Sequence, residues 1–330
     1  MNNIKIGVMG CANIARRSVI PAIKSVEDFE LTAIASRNLE KALQFTKQFG
    51  GKAEEGYDRL INNKELDAVY IPLPTGLHHE WIKKALLFGK HVIAEKSLAM
   101  NDTSVKELVD IAKKNKLVLM ENFMYRYHSQ HNKVFSLLEN NEIGDLRLFK
   151  SAFGFPPLDK KNFRYNKELG GGAVYDAAAY LVNASLWFLG SNLEVTSSNL
   201  TVETETSVVI NGSANLYSKT TGMVSQIAFG FDNFYQCNYE FWGSNGKIIV
   251  DRAFTAKPDY KPKIIVEKPG IRNEYTMPPD NHFINIFKEF AVCIKSGNYK
   301  KHNPTILNQN RILTEIINKA VVYNIKPKIR

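Results

Sequence analysis

The chain opens on an apolar run, Ile4 to Met9, that breaks at Gly10 and passes into a segment whose apolar positions recur at helical spacing. That switch from strand length to helical period repeats along the first third of the chain. Leu31 to Ala35, Asp67 to Ile71, His91 to Ala94 and Leu117 to Met120 are short strand-like runs, separated by amphipathic stretches at Leu39 to Phe49, His78 to Gly89 and Thr103 to Asn115. An alternating series of this kind predicts a parallel sheet with helices on both faces. The punctuation agrees with it. Gly50-Gly51 stops one helix, Pro21 should kink or restart the first, and Asn101, Asp102 and Ser104 are candidate caps for another, with Glu107 completing a Ser-x-x-Glu box.

Beyond residue 122 the pattern changes. Tyr127 to Asn140 and Ala173 to Leu189 read as helices around a strand at Leu146 to Phe155, and Val195 to Met277 alternates in short strands. These include Ser207 to Ile210, Met223 to Phe231, Tyr239 to Trp242 and Lys247 to Val250, with Asn211-Gly212 and Asn245-Gly246 as expected hairpin turns. Hairpins make an antiparallel sheet. Phe283 to Ser296 and Pro304 to Asn324 are the expected closing helices.

Composition narrows the picture only a little. At 330 residues the chain exceeds one typical core, so two domains are expected. A net charge of +10, from 43 basic and 33 acidic residues spread along the chain, favours anionic ligands. No nucleic-acid module accompanies it, so no nucleic-acid partner is expected, and no apolar run spans a bilayer. Cys11, Cys237 and Cys293 are far apart and leave no even pairing, which fits a reducing cytoplasm, and no secretory signal opens the chain.

The candidate chemistry lies where strands end. Gly10-Cys11-Ala12-Asn13-Ile14-Ala15 is a version of the glycine-rich turn, with small residues at 10, 12 and 15 for a tight turn, close approach to a pyrophosphate and helix packing. The second strand ends in Ser36-Arg37, and a basic residue there accommodates a 2′-phosphate, which favours NADP over NAD. Pro72-Leu73-Pro74-Thr75-Gly76 can continue neither strand nor helix, and is placed to cover a nicotinamide ring. The fourth apolar run stops on Glu95-Lys96, an odd end for a core strand. At that end a sheet of this type faces its ligand, although a surface salt bridge would carry the same two residues. Asp176 and Tyr180 share a helix face at i and i+4 behind Gly170-Gly171-Gly172. The pairs His78 with His79 and His128 with His131 lack partners at ligand spacing, so no metal site is expected.

Taken in order, these motifs resemble the glucose-fructose oxidoreductase, inositol dehydrogenase and MocA-like family, across essentially the whole chain. The resemblance implies an N-terminal Rossmann doubly wound parallel sheet over residues 1–122 that binds NADP. It also implies a C-terminal α/β domain with an open, mostly antiparallel sheet over 123–330, for substrate binding and oligomerisation. Lys96, Tyr180 and Asp176 are the implied catalytic residues. Met9, Gly10, Cys11, Ala12, Asn13, Ile14, Ala15, Ser36, Arg37, Tyr57, Leu73, Pro74, Thr75, His78, Glu95, Lys96, Arg164 and Asp176 would contact the cofactor. The family's usual Glu-Lys-Pro is here Glu95-Lys96-Ser97. Within the family, Ser36-Arg37 and the run Glu121 to His128 resemble NADP-dependent ketoreductases of nucleotide-linked deoxysugars, with C-3 a candidate carbon. The alternatives are a dehydrogenase of a free sugar, polyol or dihydrodiol, and a dinucleotide-sensing protein without catalysis. A cytoplasmic homodimer or homotetramer is expected, its second copy covering an apolar sheet face that carries Phe229, Phe231, Tyr239 and Phe241.

Overall fold

The computed structural model describes residues 3–326. Six parallel strands form the first sheet: β1 (Ile4–Met9), β2 (Phe29–Ser36), β3 (Lys52–Glu55), β4 (Ala68–Ile71), β5 (His91–Ala94) and β6 (Leu119–Glu121). Their order is β3-β2-β1-β4-β5-β6. The chain thus winds outward from β1 to one edge, then from β4 to the other, and the reversal between β1 and β4 opens a crevice at the strands' carboxyl ends. The connecting helices are α1 (Ile20–Ser25), α2 (Leu39–Phe49), α3 (Tyr57–Asn62), α4 (Thr75–Leu87) and α5 (Asp102–Asn115). Val8, Val69, Ile71, Val92 and Ala94 are fully buried on this sheet, as strands covered on both faces require.

Local chemistry sets several boundaries. Ala15–Val19 is wound as a π-helix, and α1 begins at Ile20 with Pro21 in its first turn, where a missing N–H is tolerated. The Asn38 side chain accepts from Lys41 N to cap α2, and Gly50 at φ 88° ends it. For α5 the cap is Asn101, whose side chain accepts from Ser104 N at 2.8 Å. The expected capping box does not form. Glu107 turns away to accept from Lys83 and to pair with His79 Nε2, both at 2.6 Å, because these two side chains on α4 outcompete one backbone N–H.

One compact unit runs to Met124 and takes back Phe283–Leu307; the other comprises Tyr125–His282 and the chain from Asn308 onward. The second unit contains α6 (Gln130–Glu139), β7 (Leu146–Gly154), α7 (Ala179–Leu189) and β8 (Leu193–Glu203). There follow β9 (Val209–Ser218), β10 (Val224–Gly230), β11 (Gln236–Gly243), β12 (Lys247–Val250), β13 (Lys263–Lys268) and β14 (Ile271–Thr276). Two helices, α8 (His282–Lys295) and α9 (Asn303–Asn318), precede β15 (Ala320–Ile325). The nine-stranded sheet runs β14-β13-β12-β11-β7-β10-β9-β8-β15. Only β10 with β7 and β15 with β8 pair in parallel, so the sheet is mixed and mostly antiparallel.

Three local expectations are corrected. Asn211-Gly212 is not a turn: both residues lie inside β9, where a Cβ on Gly212 would stand 2.7 Å from Asn199 O and 2.9 Å from the Phe229 ring. The glycine serves close packing rather than chain reversal. The last helix ends at Asn318, and residues 320–325 form β15, whose β-branched Val321 and Val322 suit an edge position beside β8. Finally, Phe229, Phe231, Tyr239 and Phe241 are all at most 3 % exposed. They point to the helix-covered face, where Phe188 of α7 meets Tyr239 and Phe241 at ring distances of 5.2 and 4.9 Å. The opposite face is small and polar, with Lys150, Ala152, Ser213, Asn215, Gln226 and Asn238 around a shallow hollow of about 460 Å³.

Candidate active site

The first cluster forms where β1 and β2 end. Gly10 adopts φ 116°, a conformation open to glycine, and its N–H donates to Ala35 O at 2.8 Å. A Cβ at this position would meet Leu73 Cδ2 at 3.0 Å and the Tyr57 hydroxyl at 3.7 Å, so the bare backbone keeps the turn against the Pro72–Pro74 loop. Arg16 N donates to Ala12 O at 3.1 Å as the helical winding starts, which leaves the preceding N–H groups directed outward. The Cys11 thiol lies beside Ser36, and burial pushes it up from the ordinary thiol value. The Ser36 hydroxyl accepts from Asn38 N at 3.2 Å. Arg37 is exposed and its guanidinium lies by the Tyr57 hydroxyl; burial raises that phenol, with the Arg37 charge opposing. Residues 9–15, Ser36, Arg37, Tyr57 and Leu73 therefore come together from four separate stretches of sequence. A pyrophosphate fits at the Gly10 turn and a phosphorylated ribose beside Arg37.

The second cluster is at the ends of β4, β5 and β6. Glu95 Oε1 accepts from the Tyr70 hydroxyl at 2.7 Å and from Asn122 Nδ2 at 2.6 Å. These donors fix the carboxylate that immediately precedes Lys96. Glu121 Oε1 accepts from Leu98 N at 3.2 Å, and burial pushes this carboxyl up to about 8 in spite of the nearby Lys96 charge. It thus holds a proton at neutral pH. Lys96 and Glu95 both lie close enough to this buried carboxyl for their charges to act on it. The Lys96–Ser97 peptide bond is cis. His78, fully buried, donates from Nδ1 to Ser97 O at 2.7 Å; burial holds its ring near 4, hence neutral. Its neighbour His79 contacts Glu107 on the outer side, so the two histidines serve different faces.

Tyr70 is absent from the sequence reading, and Glu121 and Asn122 enter it only as part of the run Glu121 to His128, not as site residues. Their signals were faint but physical. A tyrosine interrupts the apolar run Ala68–Ile71, and β6 ends on a carboxylate as abruptly as β5 does.

Arg164, Asp176 and Tyr180 lie in the second unit. Gly172 N donates to Arg164 O at 2.9 Å, and a Cβ on Gly171 would stand 2.5 Å from that same oxygen. The glycine run thus folds directly onto the turn at Phe163–Tyr165 and holds Arg164 in an ion pair with Asp176. Val174–Ala178 is wound as a π-helix ahead of α7, a local widening frequent at functional sites. Tyr180 is 6 % exposed, its ring packed 5.2 Å from Phe153, 5.8 Å from Phe254 and 5.9 Å from Tyr125.

A parallel 3-2-1-4-5-6 sheet with a glycine turn at its first strand end, and a lysine just past the end of β5, defines a dinucleotide-dependent oxidoreductase. Residues 4–123 match the oxidoreductase family with an NAD-binding Rossmann fold, and 131–249 match the GFO/IDH/MocA C-terminal domain. The chain belongs to this GFO/IDH/MocA family. It is 39 % identical over 300 residues to a dTDP-3,4-didehydro-2,6-dideoxy-alpha-D-glucose 3-reductase from Actinomadura kijaniata, covering 91 % of this chain and 90 % of that protein. The enzyme of the same description from Saccharopolyspora spinosa is 40 % identical over 294 residues, covering 89 % and 88 %. The crystal structure of KijD10, a 3-ketoreductase from Actinomadura kijaniata in complex with NADP and TDP-benzene, superposes with a TM-score of 0.96 at 37 % identity, covering 98 % of this chain and all of that one.

Proposed function

We propose that this oxidoreductase uses NADPH to reduce a keto group, at C-3, of a deoxysugar linked to a nucleoside diphosphate. The observation that carries the reading is similarity along nearly the full length to dTDP-sugar 3-reductases and to a 3-ketoreductase solved with NADP and TDP-benzene. The cofactor, when bound, supplies the hydride. The Gly10–Ala15 turn holds its pyrophosphate, Arg37 its 2′-phosphate, and Leu73, Pro74 and Thr75 border the nicotinamide, with His78 buried behind them on Ser97 O. Lys96 stabilises the alkoxide that develops on the carbonyl oxygen, and Tyr180 supplies its proton. Arg164 and Asp176 act as a pair beside Tyr180, the carboxylate anchored by the guanidinium.

Mixing the protein with NADPH and the dTDP-linked 3-keto sugar should consume NADPH. The absence of consumption, with free sugars or polyols oxidised by NADP⁺ instead, would replace this reading with the dehydrogenase one. Arg37→Ala should weaken NADPH binding by about 1.5–3 kcal/mol, the range of a hydrogen bond to a charged group, and leave NADH nearly unaffected. Equal losses for both cofactors would remove Arg37 from the 2′-phosphate.

The second unit is read as the substrate-binding and oligomerisation domain. Its open sheet face pairs Lys150 with Glu240, and edge strand β15 exposes Val321, Val322 and Tyr323. A homodimer or homotetramer in the cytoplasm is the state proposed, with Cys11, Cys237 and Cys293 all free thiols. Light scattering at micromolar concentration should return a multiple of the 37.4 kDa chain; a monomer would contradict it.

A further inference from the structure

Apart from the strand-end clusters, the first unit gathers three metal-binding side chains of different chemistry on its returning segment. Glu289 and Cys293 stand at i and i+4 on α8, which sets them on one face. His302, in the turn that leads into α9, closes over them. The Cys293 thiol donates to Glu289 Oε1 at 3.2 Å and lies 3.5 Å from His302 Nε2, and His302 Nε2 is 3.5 Å from Glu289 Oε1. Sulfur, nitrogen and oxygen form a nearly equilateral triangle.

That triangle has the dimensions of one face of a metal tetrahedron. With Zn–S about 2.3 Å and Zn–N or Zn–O about 2.0–2.1 Å, ligand atoms at the tetrahedral angle are separated by roughly 3.3–3.6 Å. The two edges that His302 makes, both 3.5 Å, fall in that range, and the Cys293–Glu289 edge of 3.2 Å needs to open by only a few tenths of an ångström. The surroundings agree. Cys293 is 1 % exposed, which shields a metal-bound sulfur, whereas the Glu289 and His302 side chains keep 17 % and 14 %, leaving a solvent side for ion entry and a fourth, water ligand. The Lys301 ammonium already contacts Glu289 Oε1 at 2.6 Å, so a positive charge is stabilised at this point, and the second carboxylate oxygen can keep Lys301 once the first is taken.

We propose that Glu289, Cys293 and His302 bind a divalent transition-metal ion, zinc by its donor set, and that the ion clips the end of α8 to the start of α9. Thiolate, imidazole and carboxylate together select zinc over calcium or magnesium, which take oxygen ligands. Coordination replaces the thiol proton with the metal, and the proton passes to solvent. The role is structural: the ligands join two helices across the Ser296–His302 connection, on residues assigned no part in the reduction.

The test uses the full-length protein, stripped with a chelator and titrated with zinc chloride against a chromophoric competitor, and separately with cobalt chloride. One zinc per chain is expected, and cobalt should produce a thiolate charge-transfer band. Cys293→Ala should abolish that band, and both Cys293→Ala and His302→Gln should weaken zinc by more than about 100-fold, beyond the ~10–100-fold that changes outside the ligand shell cost. An unchanged far-ultraviolet circular dichroism spectrum of each variant reports that the fold is intact. Should Cys293→Ala not fold, His302→Gln at the more accessible ligand decides alone. Failure of the wild type to hold zinc in competition, or unchanged affinity in a folded His302→Gln, would overturn the site. Neither outcome depends on the identity of the sugar.

Discussion

Replacing Lys96 with Met is expected to lower kcat by roughly 10²- to 10³-fold while NADPH affinity stays near that of the wild type. The amine stands at the carboxyl end of β5, directly after a carboxylate held by Tyr70 and Asn122. An alkoxide forms only as the hydride arrives, so a fixed positive charge there favours the transition state over the ground state. The neighbouring Glu121 carboxyl, raised to about 8, keeps its proton at neutral pH and does not cancel that charge. Methionine preserves the length and the apolar stem and removes the ammonium alone. Steady-state turnover with the keto sugar nucleotide at saturating NADPH measures the effect. Near-wild-type turnover would leave Lys96 as half of a salt bridge at a strand end, worth little to stability or rate.

The sequence disclosed most of this cluster, and the reason is periodicity. β1, β2, β4, β5 and β6 are apolar on both faces, so their ends stand out wherever a polar residue interrupts the run, and those ends are where an α/β sheet presents its chemistry. β3 escaped for the opposite reason. Lys-Ala-Glu-Glu carries no apolar pattern, and as the edge next to β2 it needs none. β15 was read as helix because Ile312, Leu313 and Ile316 continue at helical spacing up to its start, and only pairing with β8, more than a hundred residues away, converts the tail to strand. The face choice of Phe229, Phe231, Tyr239 and Phe241 was likewise invisible, since alternation announces two faces without saying which one the helices cover. Tyr70 and Asn122 could be linked to Glu95 only in three dimensions: one lies 25 and the other 27 residues away. The triangle of Glu289, Cys293 and His302 has no counterpart among the spacings normally read as metal motifs, because a helix end and a seven-residue turn separate its last ligand from the first two.

Tyr180→Phe is expected to carry the larger penalty, roughly 10²- to 10⁴-fold in kcat, with an altered pH profile, if its hydroxyl is the proton donor. The substitution is unusually clean for this side chain. Tyr180 packs by its ring against Phe153, Phe254 and Tyr125, and phenylalanine retains every one of those contacts. Stability should therefore change by no more than about 1 kcal/mol, the worth of a typical hydrogen bond, while turnover collapses. A helix-packing role predicts the reverse of that split: unchanged turnover and an unchanged pH profile in a folded variant. The Lys96→Met, Tyr180→Phe double variant then separates two ways of sharing the reaction. If amine and phenol act as one unit on the same proton transfer, the combined loss stays close to the larger single loss, because the second substitution removes a group already disabled. If Lys96 contributes only its field and Tyr180 only its proton, the two losses add in free energy, and the double variant falls by roughly the product of the single factors, about 10⁴-fold or more. A combined loss near the Lys96→Met value alone, with Tyr180→Phe fully active, would assign both charge stabilisation and proton delivery to Lys96.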